Sequence, residues 1–199
     1  MKAAETFKVG EPSGSPAFYQ GALETLLRDE RYRRNLDWGE PRHGHPEGSL
    51  RAHIADLQRN AAHMTPLLSE VDGWRLRLLV HVHDIFKPDA EEGAKILHPQ
   101  SHSSLARAFL AEFCPDDVDL LNMMQFHDEP YALWRQLRHG KLNQARLDAL
   151  FSVIRDWDLF LAFLIVDGCT EGKGRDPLHW FLHQAADRVQ SCITAAHIL

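Results

Sequence analysis

The stretch LLVHVHDIF, residues 78–86, decides how the chain is read. Its apolar residues suit a core helix, yet it carries His81, His83 and Asp84. Each buried polar group costs free energy unless something pairs with it. A core helix has no use for His83 and Asp84 unless other segments bring partners to them.

Working outward, the helical pattern spans about residues 73–87 and must stop near Pro88, which lacks the donor and restricts the residue before it. Upstream, Ser49 suits an N-cap for a helix whose apolar stripe is Leu50, Ile54, Leu57 and Ala61. Further helices are expected over 17–31, over 101–113, and from a cap at Asp116 or Asp117 through Leu120, Met123 and Met124. A long helix over 143–167 and a final one over 178–197 complete the pattern. No alternating strand pattern or internal repeat interrupts it, so the expected fold is all-α, a bundle of six or more helices. Residues 1–16, rich in Gly, Pro and Ser, read as a flexible lead-in, and 17–199 as one domain.

Composition narrows the function classes. Apolar residues are 44% and charged residues 25%, a globular rather than disordered profile. The net charge of -6 lacks the basic footprint of a general nucleic-acid binder. Cys114, Cys169 and Cys192 show no CxxC spacing, and MKAAETFKVG lacks the apolar segment of a secretory leader, so a reducing cytoplasm is expected. The most apolar stretch, 159–166, is too short to span a bilayer, and no membrane association is expected.

Helical spacing then sorts the 13 histidines. His53 lies three residues after Leu50 and four before Leu57. His83 follows Leu76, Leu79 and Val80 at seven, four and three residues, whereas His81 faces elsewhere. His102 precedes Leu105 and Phe109 at three and seven. His127 follows Leu120, Met123 and Met124, and Asp167 follows Phe160, Phe163 and Leu164, at those same spacings. Any one of these reads as a hydrogen-bonded core residue. Together with Asp84 they are too many, because burying that many ionisable groups without compensation destabilises a fold. A cation removes the difficulty. Imidazole and carboxylate ligands without thiolate favour Fe, Mn, Co, Ni, Zn or Mg, with one or two ions per chain.

These residues resemble the HD-domain superfamily of metal-dependent phosphohydrolases, whose pattern is a histidine, an adjacent His–Asp pair ending a helix, and a distant aspartate. Here they fall on His53 in SLRAHI, His83 and Asp84 in LVHVHDIFK, and Asp167 in FLIVDGCTEGK, within a resemblance covering about 45–175. The resemblance implies an HD-type helical bundle. It also implies a second ion on His102 and His127, with Asp84 bridging both; His98 is a rival for His102. Lys87 is placed like the lysine that follows the pair in many members, as a phosphate contact or else a solvated helix-end lysine. Lys173 and Arg175, on a glycine-rich loop past Asp167, and Arg42, beside the first ligand helix, are further candidate substrate contacts. His45 or Glu47 is placed to orient His53, and Asp128 to act as an outer acceptor or general base.

The activity implied is hydrolysis of a phosphomonoester or phosphodiester of a small molecule or nucleotide. The same ligand set serves HD-type di-iron oxygenases, and related domains bind nucleotides or RNA without catalysis. The acidic charge disfavours the last.

Overall fold

Side-chain caps set most of the helix boundaries. The structure is a computed structural model that describes residues 14–199. A serine accepts a backbone N–H at the start of α1 (Pro16–Leu26), α3 (Leu50–Met64), α4 (Glu70–Val82) and α5 (His102–Ala111). An aspartate or asparagine does so for α2 (Glu30–Asn35), α6 (Val118–Phe126), α8 (Gln144–Val153) and α9 (Trp157–Gly168). The remaining two, α7 (Glu129–Arg138) and α10 (Asp176–Ala186), start on Glu-Pro and Asp-Pro, where the missing proline donor costs nothing. No strand forms among the described residues, apart from an isolated bridge between Arg42 and His45. The all-α expectation holds.

Helix α9 is apolar on every side and nearly every residue from Trp157 to Val166 is buried, which makes it the central helix. It packs against α3 and α4, which also pack on each other. Around these, α1 lies on α4, α5 on α6, and α10 on both α7 and α9. Phe160, Phe163, Phe181, Leu57 and Leu76 are among the fully buried core. No helix among the described residues is long and apolar enough to cross a membrane.

Several expected boundaries move, each for a local reason. The helix expected over 73–87 begins at Glu70, capped by Ser69, and ends at Val82. Pro88 would clash with the carbonyl four residues back, that of Asp84. The chain instead tightens into i→i+3 bonds, with Ile85 donating to Val82 and Lys87 to Asp84, and a 3₁₀ turn over Lys87–Asp89. His83 and Asp84 therefore stand just past the helix end.

The helix expected over 143–167 is two helices. Ile154 is extended, and the carboxylate of Asp119 accepts the amides of Arg155 and Asp156, both at 2.9 Å. Asp156 then caps α9. The first helix likewise breaks before Asp29, which caps α2. The last stops at Ala186, and Ser191 and Cys192 donate to Asp158 on α9. Helix α7 has no counterpart among the expected elements. The expected lead-in falls outside the described residues except for 14–16, of which Pro16 already opens α1.

Candidate metal centre

Five helix segments deliver the polar residues to one place. His53 is on α3, and Asp167 is near the C-terminal end of α9. His83 and His127 are the C-cap residues of α4 and α6, and His102 is the first residue of α5. Helix ends converge here, so no helix has to bury a charge in mid-span.

Asp84 sits between two groups of donors. Its Oδ2 lies 3.4 Å from His83 Nε2 and 3.9 Å from His53 Nε2. Asp167 Oδ1 joins this side at 3.2 Å from His53 Nε2 and 3.7 Å from His83 Nε2. The other oxygen, Asp84 Oδ1, lies 3.7 Å from His127 Nε2 and 3.8 Å from His102 Nε2, and those two nitrogens are 3.2 Å apart. Ligand atoms each about 2.1 Å from one ion stand roughly 3.0–3.4 Å apart at octahedral or tetrahedral angles. The observed spacings run from 3.2 to 3.9 Å, reaching that range on both sides and exceeding it by up to about 0.5 Å. Two triads, His53–His83–Asp84 and Asp84–His102–His127, therefore can each hold a metal ion, with Asp84 common to both.

The imidazole tautomers agree. His83 Nδ1 contacts the carbonyls of Leu79 and Val80 at 3.2 Å, and His127 Nδ1 contacts that of Met124 at 2.8 Å. A carbonyl only accepts, so Nδ1 carries a proton in both rings, and Nε2 is the lone-pair nitrogen of each ring when neutral. Burial opposes protonation of His127, but Asp128 and Asp84 raise its pKa above the usual histidine range. His53 Nδ1 lies 2.7 Å from Glu47 Oε1, which also takes His45 Nδ1 at 3.0 Å. Burial opposes ionisation of Glu47, but these histidines hold it below the usual carboxylate range. Burial keeps His83 below the usual histidine range, hence neutral.

Nε2 of His53 and of His83 are buried and make no hydrogen bond; Glu47 Oε2 is the third such atom. Two lysines reach the cluster, Lys87 Nζ to Asp84 Oδ2 and Lys173 Nζ to Asp167 Oδ1 at 2.7 Å. Burial disfavours the charged forms of both carboxylates, yet Lys87 and Lys173 lead the groups that hold them well below the usual range. Both ammonium groups are spent on the carboxylates, and neither satisfies Nε2 of His53 or His83. Those orphaned nitrogens are what a metal ion fits. Phe163 backs His83 and His127, at ring separations of 5.3 and 6.4 Å.

The cluster opens into a cavity of about 490 Å³. Lys87, Asp128 and Lys173 stand on its wall with His43 and His45. Asp128 Oδ2 lies 3.1 Å from His102 Nε2; burial opposes its charge, but His127, His102 and Lys87 hold it below the usual range. It is thus an ionised acceptor at the opening. The loop carrying His45 and Glu47 is pressed onto the one carrying Lys173: a Cβ at Gly172 (φ +80°) would stand 2.8 Å from Pro46 Cδ.

Other residues fall elsewhere. Arg175 donates to the carbonyls of Gly168, Cys169, Thr170 and Lys173, closing the end of α9, so its guanidinium is committed to backbone rather than substrate. Arg42 is exposed, 6.0 Å from the Trp38 ring, and not on the cavity wall. His98 is exposed against Glu91, and His102 is the one in the cluster. His81 does face away from the centre, but it is buried between Tyr32 Oη at 2.7 Å and Gln58 at 3.0 Å, with burial lowering its pKa to about 4.

No family profile, curated protein or solved structure matches this chain.

The role of Glu47 is testable. Glu47→Ala frees the His53 ring and its tautomer, and loss of such an outer partner typically weakens metal binding by about 10–100-fold. Competition against a chromophoric chelator should show that drop with thermal unfolding of the chelated protein nearly unchanged. Unaltered affinity would remove Glu47 from the site.

Proposed function

We propose that the chain is an HD-type, metal-dependent phosphohydrolase acting on a phosphoester of a small molecule or nucleotide. The observation that carries this reading is Asp84, one oxygen turned to each half of the centre beside a cavity lined by two lysines. His53, His83, Asp84 and Asp167 would hold one divalent ion, and Asp84, His102 and His127 a second. Such an ion acidifies a water molecule toward neutral pH and screens charge on phosphoryl oxygens. Lys87 and Lys173 supply point charges at the opening, where a phosphoryl group enters. Asp128 is an acceptor that orients the attacking water. Two cations for an anionic substrate and an ionised acceptor on the same cavity wall support this assignment.

The test is metal analysis of protein purified without chelator, with a panel of phosphomonoesters and phosphodiesters assayed anaerobically. About two equivalents of metal and phosphate release without O2 are expected. A folded protein that takes up no added Mn, Fe, Co, Ni or Zn would overturn the metal centre. Two equivalents of iron with O2 consumption and no hydrolysis would transfer the reading to a di-iron oxygenase, since a bridged His/Asp centre serves both chemistries.

A further inference from the structure

The cavity wall is not polar throughout. It includes Pro130, Tyr131 and Trp134 of α7, Leu164 of α9, and Leu178 and Phe181 of α10. A phosphoryl group with a small aliphatic remainder has no need of these apolar residues.

Two of these rings are already arranged as a platform. Tyr131 and Trp134 stack at 6.0 Å between centroids with 24° between planes, and Arg138 lies 5.4 Å from the Trp134 ring. Tyr131 remains 52% exposed, so it has surface free to receive a further ring. Its position is set by the centre itself: Tyr131 follows Asp128 by three residues, about 4.5 Å along a helix axis. A group stacked on Tyr131 is therefore within one small molecule's length of the donors around Asp84. The cavity volume falls in the range that takes drug-sized ligands and nucleotides.

The geometry points to Tyr131 and Trp134 as a leaving-group subsite that selects phosphoesters carrying a flat aromatic ring. This rests on the phosphohydrolase reading for its phosphate end, but the ring subsite stands on the α7 wall. An exposed tyrosine on a surface helix is ordinarily unremarkable, but here it lines the cavity that Asp84, Lys87 and Lys173 also line. A nucleobase and a simple aryl group share the planar π surface that stacking requires.

Compare kcat/KM for adenosine 5′-monophosphate, 1-naphthyl phosphate and glycerol 3-phosphate in the full chain and in Tyr131→Ala, Tyr131→Phe and Trp134→Ala. The native chain is expected to prefer the ring-bearing esters. Alanine at either position should shrink that preference roughly 5- to 140-fold, the range for loss of one stacking contact, while Tyr131→Phe keeps it. Loss for only one of the two ring esters identifies the source as nucleotide or aryl. An unchanged preference in both alanine variants overturns the subsite. Should no ester be hydrolysed, the phosphohydrolase reading fails separately. Calorimetric titration of the metal-loaded chain with the same two ring esters then decides the subsite. Binding weakened in Tyr131→Ala supports it, and no binding, or equal binding, overturns it.

Discussion

Asp84→Asn is expected to empty both halves of the centre at once. An asparagine side chain is neutral and offers one carbonyl oxygen, with an amide NH2 in place of the second. Whichever way it turns, one half meets a donor instead of an acceptor, and both lose the shared negative charge. Metal content should fall from about two equivalents to well below one. Phosphate release should fall by about 10³-fold or more, the upper range for removing a single electrostatic stabiliser. His127→Ala should behave differently, because only the Asp84–His102–His127 side depends on it: one equivalent remains. Circular dichroism and unfolding of the chelated proteins control for folding, since Lys87 loses its partner in Asp84→Asn. If both variants kept one equivalent, Asp84 would be a ligand of one ion only and the bridge would be wrong.

The residues of this centre were legible because helical spacing carries direction. Positions three, four and seven residues from Leu76, Leu120 or Phe160 share a face with them, and the structure does bring His83, His127 and Asp167 together. What the spacing lacked was the long-range partner. Asp119 divides α8 from α9 by catching two amides more than thirty residues away, and an apolar pattern running through both helices carries no trace of that. Arg175 looked like a free cation on a glycine-rich loop until four carbonyls took it. Glu47 and His45 are alternatives for orienting His53 in the sequence; in the structure His45 and His53 share one Glu47 oxygen, which leaves Glu47 as the acceptor. Helix α7 carries its own signal in the sequence: Pro130, Leu133, Trp134 and Leu137 fall at helical spacing behind a Glu129-Pro130 start that suits a first turn.

Arg75, equally unmarked in the sequence, carries the largest expected stability effect. It lies on α4 with its side chain only 10% exposed, and joins Asp72 of its own helix to Asp117 before α6 and Asp156 before α9. Tyr19 of α1 donates to the same Asp117, so four helices meet at one guanidinium. Removing one partner of a buried ion network costs about 3–5 kcal/mol, because the carboxylates stay behind unpaired. Arg75→Met should lose that much in urea unfolding at pH 7, a large share of a typical domain's stability. The pH dependence separates this cause from lost packing. Burial pushes Asp117 up, but the Arg75 hydrogen bonds and Tyr19 outweigh it and hold it below its ordinary value. Burial and Asp72 raise Asp156 even with Arg75 present. Without the guanidinium Asp117 and Asp156 both rise, so the folded variant binds protons that the folded native chain does not. Folding is then favoured in the variant, relative to the native chain, as pH falls from 7 toward 4. The stability gap between the two should narrow over that interval. A gap independent of pH would mean that the arginine's methylenes, not its charge, hold the helices together.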